Sequence, residues 1–296
     1  MTPPSGVSLP EIWSGRLIGA MAITFITQGI TIGAYAARLA GVQTKRIATS
    51  ISLFNLFVTV GRLANLLMVF FVGPLADQAS NAVVRFSSAN PAAAAAWQHG
   101  FEIQLRLIVL GGTVGMVAFA LFLPMFTYLF RRGVHSFEYR GSIPHSLARL
   151  VSPKVVTDVL RAQRLPSWSE MRAFDWRWIP KRLLIFNTVV MCVYAIGVQA
   201  SYLASVRDVH WRATAIGLSG VINGIGTIAF TLFVDPTSAM ITDQAIHGKR
   251  TVEEVRSMVF YLSLTAIVGT LLSQAIFYPA AVIIEAVARF AGHVRI

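Results

Sequence analysis

Long apolar runs separated by short polar or basic segments dominate the chain. Six are long enough to cross a bilayer: 17–37, 47–75, 107–130, 183–206, 213–234 and 257–284. A hydrocarbon core of about 30 Å needs about 20 helical residues, so each run predicts a transmembrane helix. The second and sixth are long enough to tilt or to continue into an interface. The expected fold is all-α: a polytopic integral membrane protein with about six transmembrane helices in a single membrane domain over 1–296.

Composition agrees with this pattern. Apolar residues make up 55% of the 296 and charged residues 13%, and mean hydropathy is +0.64. A soluble domain carries about twice that charge. The net charge of +12 would suggest nucleic acid in a soluble protein. Here the basic residues sit between apolar runs, so topology and anionic lipid account for them, and nucleic acid is not an expected partner. Lone Cys192 excludes a disulfide framework, and the six His are scattered. The start, Met-Thr-Pro-Pro, lacks the basic region of a cleaved signal peptide.

Polar residues inside the runs are the main functional clue, because keeping them in lipid costs energy. Arg62 lies near the middle of the second run, where a charge costs at least about 2.5 kcal/mol. Asn55, Thr59, Arg62 and Asn65, spaced four, three and three, share one helix face. The first run repeats the theme with Thr24, Gln28, Thr31, Tyr35 and Arg38. Two such stripes predict a hydrophilic groove; helix–helix hydrogen bonding is the plainer reading for the Thr residues. In the fifth run, Gly220 and Gly224 make a GxxxG spacing that permits close packing. A broken helix exposing Asn223 to a site is the alternative. Asp235 closes this run at a depth that suits pairing with Arg38 or Arg46. Asp77, Asp235 and Asp243 are the candidates for ion pairing or gating.

Segment 131–182 holds eleven Lys and Arg against four acids. With this loop inside, the cytoplasmic side carries 17 basic residues and the other side seven, which predicts both termini outside. Trp168, Trp176 and Trp178 alternate there with Arg172, Arg177, Lys181 and Arg182, a pattern for short interfacial helices on anionic phospholipid. The flanking segments, 17–130 and 183–284, resemble each other weakly. Asp77-Gln78-Ala79 matches Asp243-Gln244-Ala245, Arg46 matches Arg212, and Ala120-Leu121-Phe122-Leu123-Pro124 matches Ala275-Ile276-Phe277-Tyr278-Pro279. Two three-helix units with an odd number of spans would be inverted repeats, a transporter device.

No GxxxxGK[ST] loop, zinc spacing or GxSxG elbow occurs, so neither a cofactor nor catalysis is expected, and transport would run without ATP hydrolysis. The stretch 36–55, with its Arg38-Leu39-Ala40-Gly41-Val42-Gln43-Thr44-Lys45-Arg46-Ile47-Ala48 core, resembles the Amj family of bacterial lipid II flippases (alternate to MurJ). Segments 105–132 and 219–236 are also similar to that family. The resemblance implies that the substrate is lipid II, the undecaprenyl-pyrophosphate-linked peptidoglycan precursor, moved across the bacterial inner membrane. Its diphosphate would need cations such as Arg38, Arg46 or Arg62. Asn55, Asn65 and Asn223 complete the candidate substrate-binding set. Partners on this reading are lipid II, anionic phospholipids and, as a candidate, a second copy in a homodimer. A carrier of undecaprenyl phosphate or another glycolipid, an enzyme acting on lipid phosphates, and a scaffold for cell-wall enzymes remain open.

Overall fold

Caps and prolines decide where each apolar run begins and ends. The computed structural model describes residues 11–140, 157, 158, 161, 163 and 167–293. Helix α1 (Gly15–Thr44) starts where the Ser14 hydroxyl accepts from the Leu17 N–H at 3.2 Å, and stops at Lys45 in the left-handed region. Helices α2 (Ile47–Leu66) and α3 (Met68–Phe86) share the second apolar run. The break at Leu67 is a tight turn in which the Leu67 N–H bonds the Ala64 carbonyl at 3.0 Å. Pro74 within α3 frees the Phe70 carbonyl from helical pairing, one turn beyond this break.

Helix α4 (Pro91–Leu121) opens with Asn90 as cap and Pro91 in its first turn. It ends at Phe122, where the sequence pattern predicts one span over 107–130. Pro124 is the reason: it cannot donate back to Ala120, so the chain turns and restarts as α5 (Leu123–Arg140). Helix α5 then packs Phe130 and Val134 against Ala36, Ala37 and Ala40 of α1 and Leu53 of α2.

After the short α6 (Trp168–Ala173), capped by Ser167 and Glu170, comes α7 (Lys181–Arg207). A 3₁₀ turn (Val209–Trp211) leads to α8 (Arg212–Ala229), a π-helical turn (Phe230–Val234) and α9 (Asp235–Ile246) in one uninterrupted run. Helix α10 (Val252–His293), 42 residues long, completes the fold. Among the described residues, five runs are long and apolar enough to cross: α1, α4, α7, the run Val209–Ile246, and α10; α2 contributes a shorter apolar stretch. The protein is therefore a multi-pass α-helical membrane protein.

Glycines set the closest contacts. A side chain at Gly115 of α4 would meet the Phe25 carbonyl oxygen of α1 at 2.2 Å, and one at Gly269 of α10 would meet the Thr188 carbonyl oxygen of α7 at 2.5 Å. Such approach is how helices associate where no hydrophobic effect separates them from lipid. Gly220 and Gly224 do not serve this purpose, since an added Cβ at either meets nothing within 4 Å. The buried apolar core forms two main layers. One joins Leu17, Phe101, Leu203 and Phe277 near the chain-terminal ends of α1 and α10. The other joins Ile32, Leu183, Val234 and Met258 near the basic loop.

Candidate functional site

Between these layers lies a cavity of about 480 Å³. Helices α1 and α2 supply one wall, α7 and α8 the other, and the π-helical turn its end. Thr24, Gln28, Thr31 and Tyr35 all line it, so the predicted stripe of α1 is a cavity wall. Asn55 of α2 and Asn223 of α8 line it as well. Among the described residues, helices α2 and α8 form no packed interface with each other, and the cavity is unclosed between them. Helix α8 turns Val221, Ile225 and Ile228 outward, each more than half exposed. Only 6% of the apolar window in its run is buried, so α8 is the least embedded wall.

Hydrogen bonds hold the base of the cavity. The Tyr35 hydroxyl donates to the Asn187 carbonyl oxygen at 2.8 Å. The Asn187 amide donates to the Leu262 carbonyl and the Thr265 hydroxyl, each at 2.9 Å, tying α1, α7 and α10 together. Across the cavity, the Tyr194 hydroxyl donates to Thr227 at 2.6 Å, and Thr227 to the Asn223 carbonyl at 2.8 Å.

Two ion pairs join the N-terminal helices to the C-terminal ones, one toward each end. Arg38 of α1 pairs with Asp235, which lines the cavity near the basic loop. This is the partnership that depth suggests from the sequence. Arg212 at the start of α8 pairs with Asp77 of α3 at the opposite end. Asp77 is thus outside the cavity, and its partner is not one that the sequence pattern points to. Asp243 is exposed, 3.5 Å from His247, and is not among the described residues lining the cavity. Arg46 is exposed in the turn between α1 and α2, also away from the lining. Arg62 and Asn65 fall on α2, one turn or less beyond the cavity residue Gly61, but their side chains lie outside the described residues. So do Arg149, Lys154 and Arg164 of the basic loop, and the Trp168 side chain. Of the described tryptophans there, Trp176 is exposed and Trp178 takes the Arg250 guanidinium over its ring at 4.4 Å.

Sequence reasoning does not reach the contributions of α7. Tyr194 and Gln199 line the cavity but stand five residues apart, which on a helix is about 140° and reads as no stripe. The π-helical turn has no apolar periodicity to announce it. Such turns recur at functional sites because they re-aim the side chains beside them, and Phe230, Thr231 and Asp235 here all face the cavity.

The family described as "Amj: Alternate to MurJ" matches residues 23–288. The chain belongs to the Amj family. The matched segment contains the entire described cavity lining, from Thr24 to Asp235. A curated member from Bacillus subtilis (strain 168), named "Lipid II flippase Amj", is 32% identical over 249 residues, covering 84% of this chain and 87% of the relative. No solved structure matches the chain.

Proposed function

We propose that this protein is a lipid II flippase, carrying the undecaprenyl-pyrophosphate-linked precursor across the bacterial cytoplasmic membrane by alternating access and without hydrolysing ATP. The observation that carries the proposal is the polar cavity walled by α1, α2, α7 and α8 and left unclosed between α2 and α8. A large polar headgroup can enter such a cavity while its isoprenoid tail stays in lipid beside the apolar outer face of α8. The activity belongs to the curated relative by name. It is movement of an intact lipid; phosphate released from lipid II by the pure protein would argue for catalysis instead.

Helix starts support two inverted units. Gly15 and Lys181, Ile47 and Arg212, and Met68 and Asp235 begin matched helices 165 to 167 residues apart. The glycine contacts of α4 on α1 and of α10 on α7 are also equivalent, and place the fourth matched pair at a separation of 154, Gly115 to Gly269. Alternating access then amounts to rocking one unit against the other around the cavity. The Arg38–Asp235 and Asp77–Arg212 pairs bridge the units at opposite ends, and suit gates that open in turn. The positive-inside count puts the basic loop, and with it Arg38 and Asp235, on the cytoplasmic side with both termini outside. Arg38 at the cavity end, together with Arg62, would meet the diphosphate, and the basic Trp-bearing loop would sit on anionic phospholipid.

The test is rescue. A bacterium depleted of its own lipid II flippases should survive when this chain is expressed, with lipid II exposed at the outer leaflet. Arg62→Ala should abolish survival at unchanged expression. A well-expressed wild-type chain that fails to rescue contradicts the proposal.

A further inference from the structure

Each of the four cavity walls contributes one carboxamide: Gln28 from α1, Asn55 from α2, Gln199 from α7 and Asn223 from α8. None of these side chains hydrogen-bonds to another described residue. Gln199 makes the point most sharply, because it is only 5% exposed and still lines the cavity. Its amide is open to the cavity and has no partner among the described residues, so a ligand held there can complete its bonds. Asn187, also buried, shows the contrast, since both ends of its amide are bonded to protein.

The charge of the walls narrows the ligand. Among the described lining residues only Asp235 carries a charge, and Arg38 already neutralises it. A diphosphate among the described lining residues would meet amides and hydroxyls but no free cation. Carboxamides instead match groups that both donate and accept, such as sugar hydroxyls and N-acetyl amides. The volume, about 480 Å³, falls within the roughly 300–1,000 Å³ typical of small-molecule sites.

We infer that the cavity reads the uncharged N-acetylated sugar part of the headgroup through Gln28, Asn55, Gln199 and Asn223, and leaves the diphosphate to the arginine-bearing margin. The inference rests on the lipid II reading and adds to it a division of labour within the site.

The test compares two lipids that share a tail and a diphosphate: lipid II and undecaprenyl pyrophosphate, which has no sugar. Binding of each is measured to the full chain in nanodiscs. Gln199→Met and Gln28→Met should each weaken lipid II binding by about tenfold, as expected for a lost hydrogen bond to a buried amide, and leave undecaprenyl pyrophosphate within about twofold. Equal weakening toward both lipids, or no weakening toward lipid II, overturns the inference. Gln28 is less buried than Gln199, so Gln28→Met decides the matter if Gln199→Met does not fold. Wild-type protein that holds both lipids equally tightly also overturns it, and leaves the flippase reading standing. Wild-type protein that binds no lipid II removes the flippase reading itself.

Discussion

Glu285 of α10 is a buried carboxylate with two arginine partners. Its carboxylate accepts from Arg207 and from Arg289, each at 2.7 Å, while Arg289 also reaches Asp208 across the α7–α10 junction. Its side chain is 10% exposed, and that of Arg289 is 53% exposed. Removing one partner of a buried pair strands the other charge. Glu285→Ala should therefore destabilise the fold, chiefly through the more enclosed Arg207, because the exposed Arg289 keeps access to water. Glu285→Gln, which retains an acceptor, should lose less. Unfolding of the detergent-solubilised variants measures both. Gly115 supplies the steric counterpart. Because an added Cβ would meet the Phe25 backbone rather than a movable side chain, Gly115→Val should force α4 away from α1. A lower unfolding midpoint is expected, and an unchanged one would mean that the two helices do not touch there.

At the scale of elements, the π-helical turn joins the cavity wall to the Arg38 partner. Five residues, Phe230–Val234, occupy it, and Asp235 follows at once. Inserting one Ala directly after Leu232, which is exposed, should rotate α9 by about 100° relative to α8. Asp235 would then leave Arg38. The expected outcome is normal expression with no flippase activity, read by rescue; full rescue would mean that the register of α9 is immaterial.

Much of this level is legible in sequence. The stripe from Thr24 to Tyr35 has helical spacing, so the wall of α1 follows from periodicity alone. Asn55 and Asn223 stand out as amides in apolar runs. The break at Phe122 is signalled by Pro124, yet a hydropathy window averages across it, and the break at Leu67 has no proline at it to mark it. Asn187 carries no such signal. It is a single amide in a continuous run, and its role comes from Tyr35, 152 residues away. The Asp77–Arg212 pair is hidden for the same reason, since it depends on how the helices cross.

The whole molecule is two apolar layers separated by a polar cavity, with one ion pair bridging its N- and C-terminal helices at each end. If the Arg38–Asp235 pair is a gate, its geometry matters more than which side holds which charge. Arg38→Asp should abolish rescue, and Arg38→Asp combined with Asp235→Arg should restore at least part of it. A double variant as dead as the single one would leave Arg38 its place at the diphosphate and remove the gate.

The central claim is that the chain itself moves lipid II, and the direct measurement uses purified components. Liposomes containing only this protein and fluorescent lipid II are treated with a quencher that cannot cross the membrane. The account predicts that the protected inner pool becomes accessible in a protein-dependent manner, with no ATP added. A protected pool that stays as stable as in protein-free liposomes would contradict it.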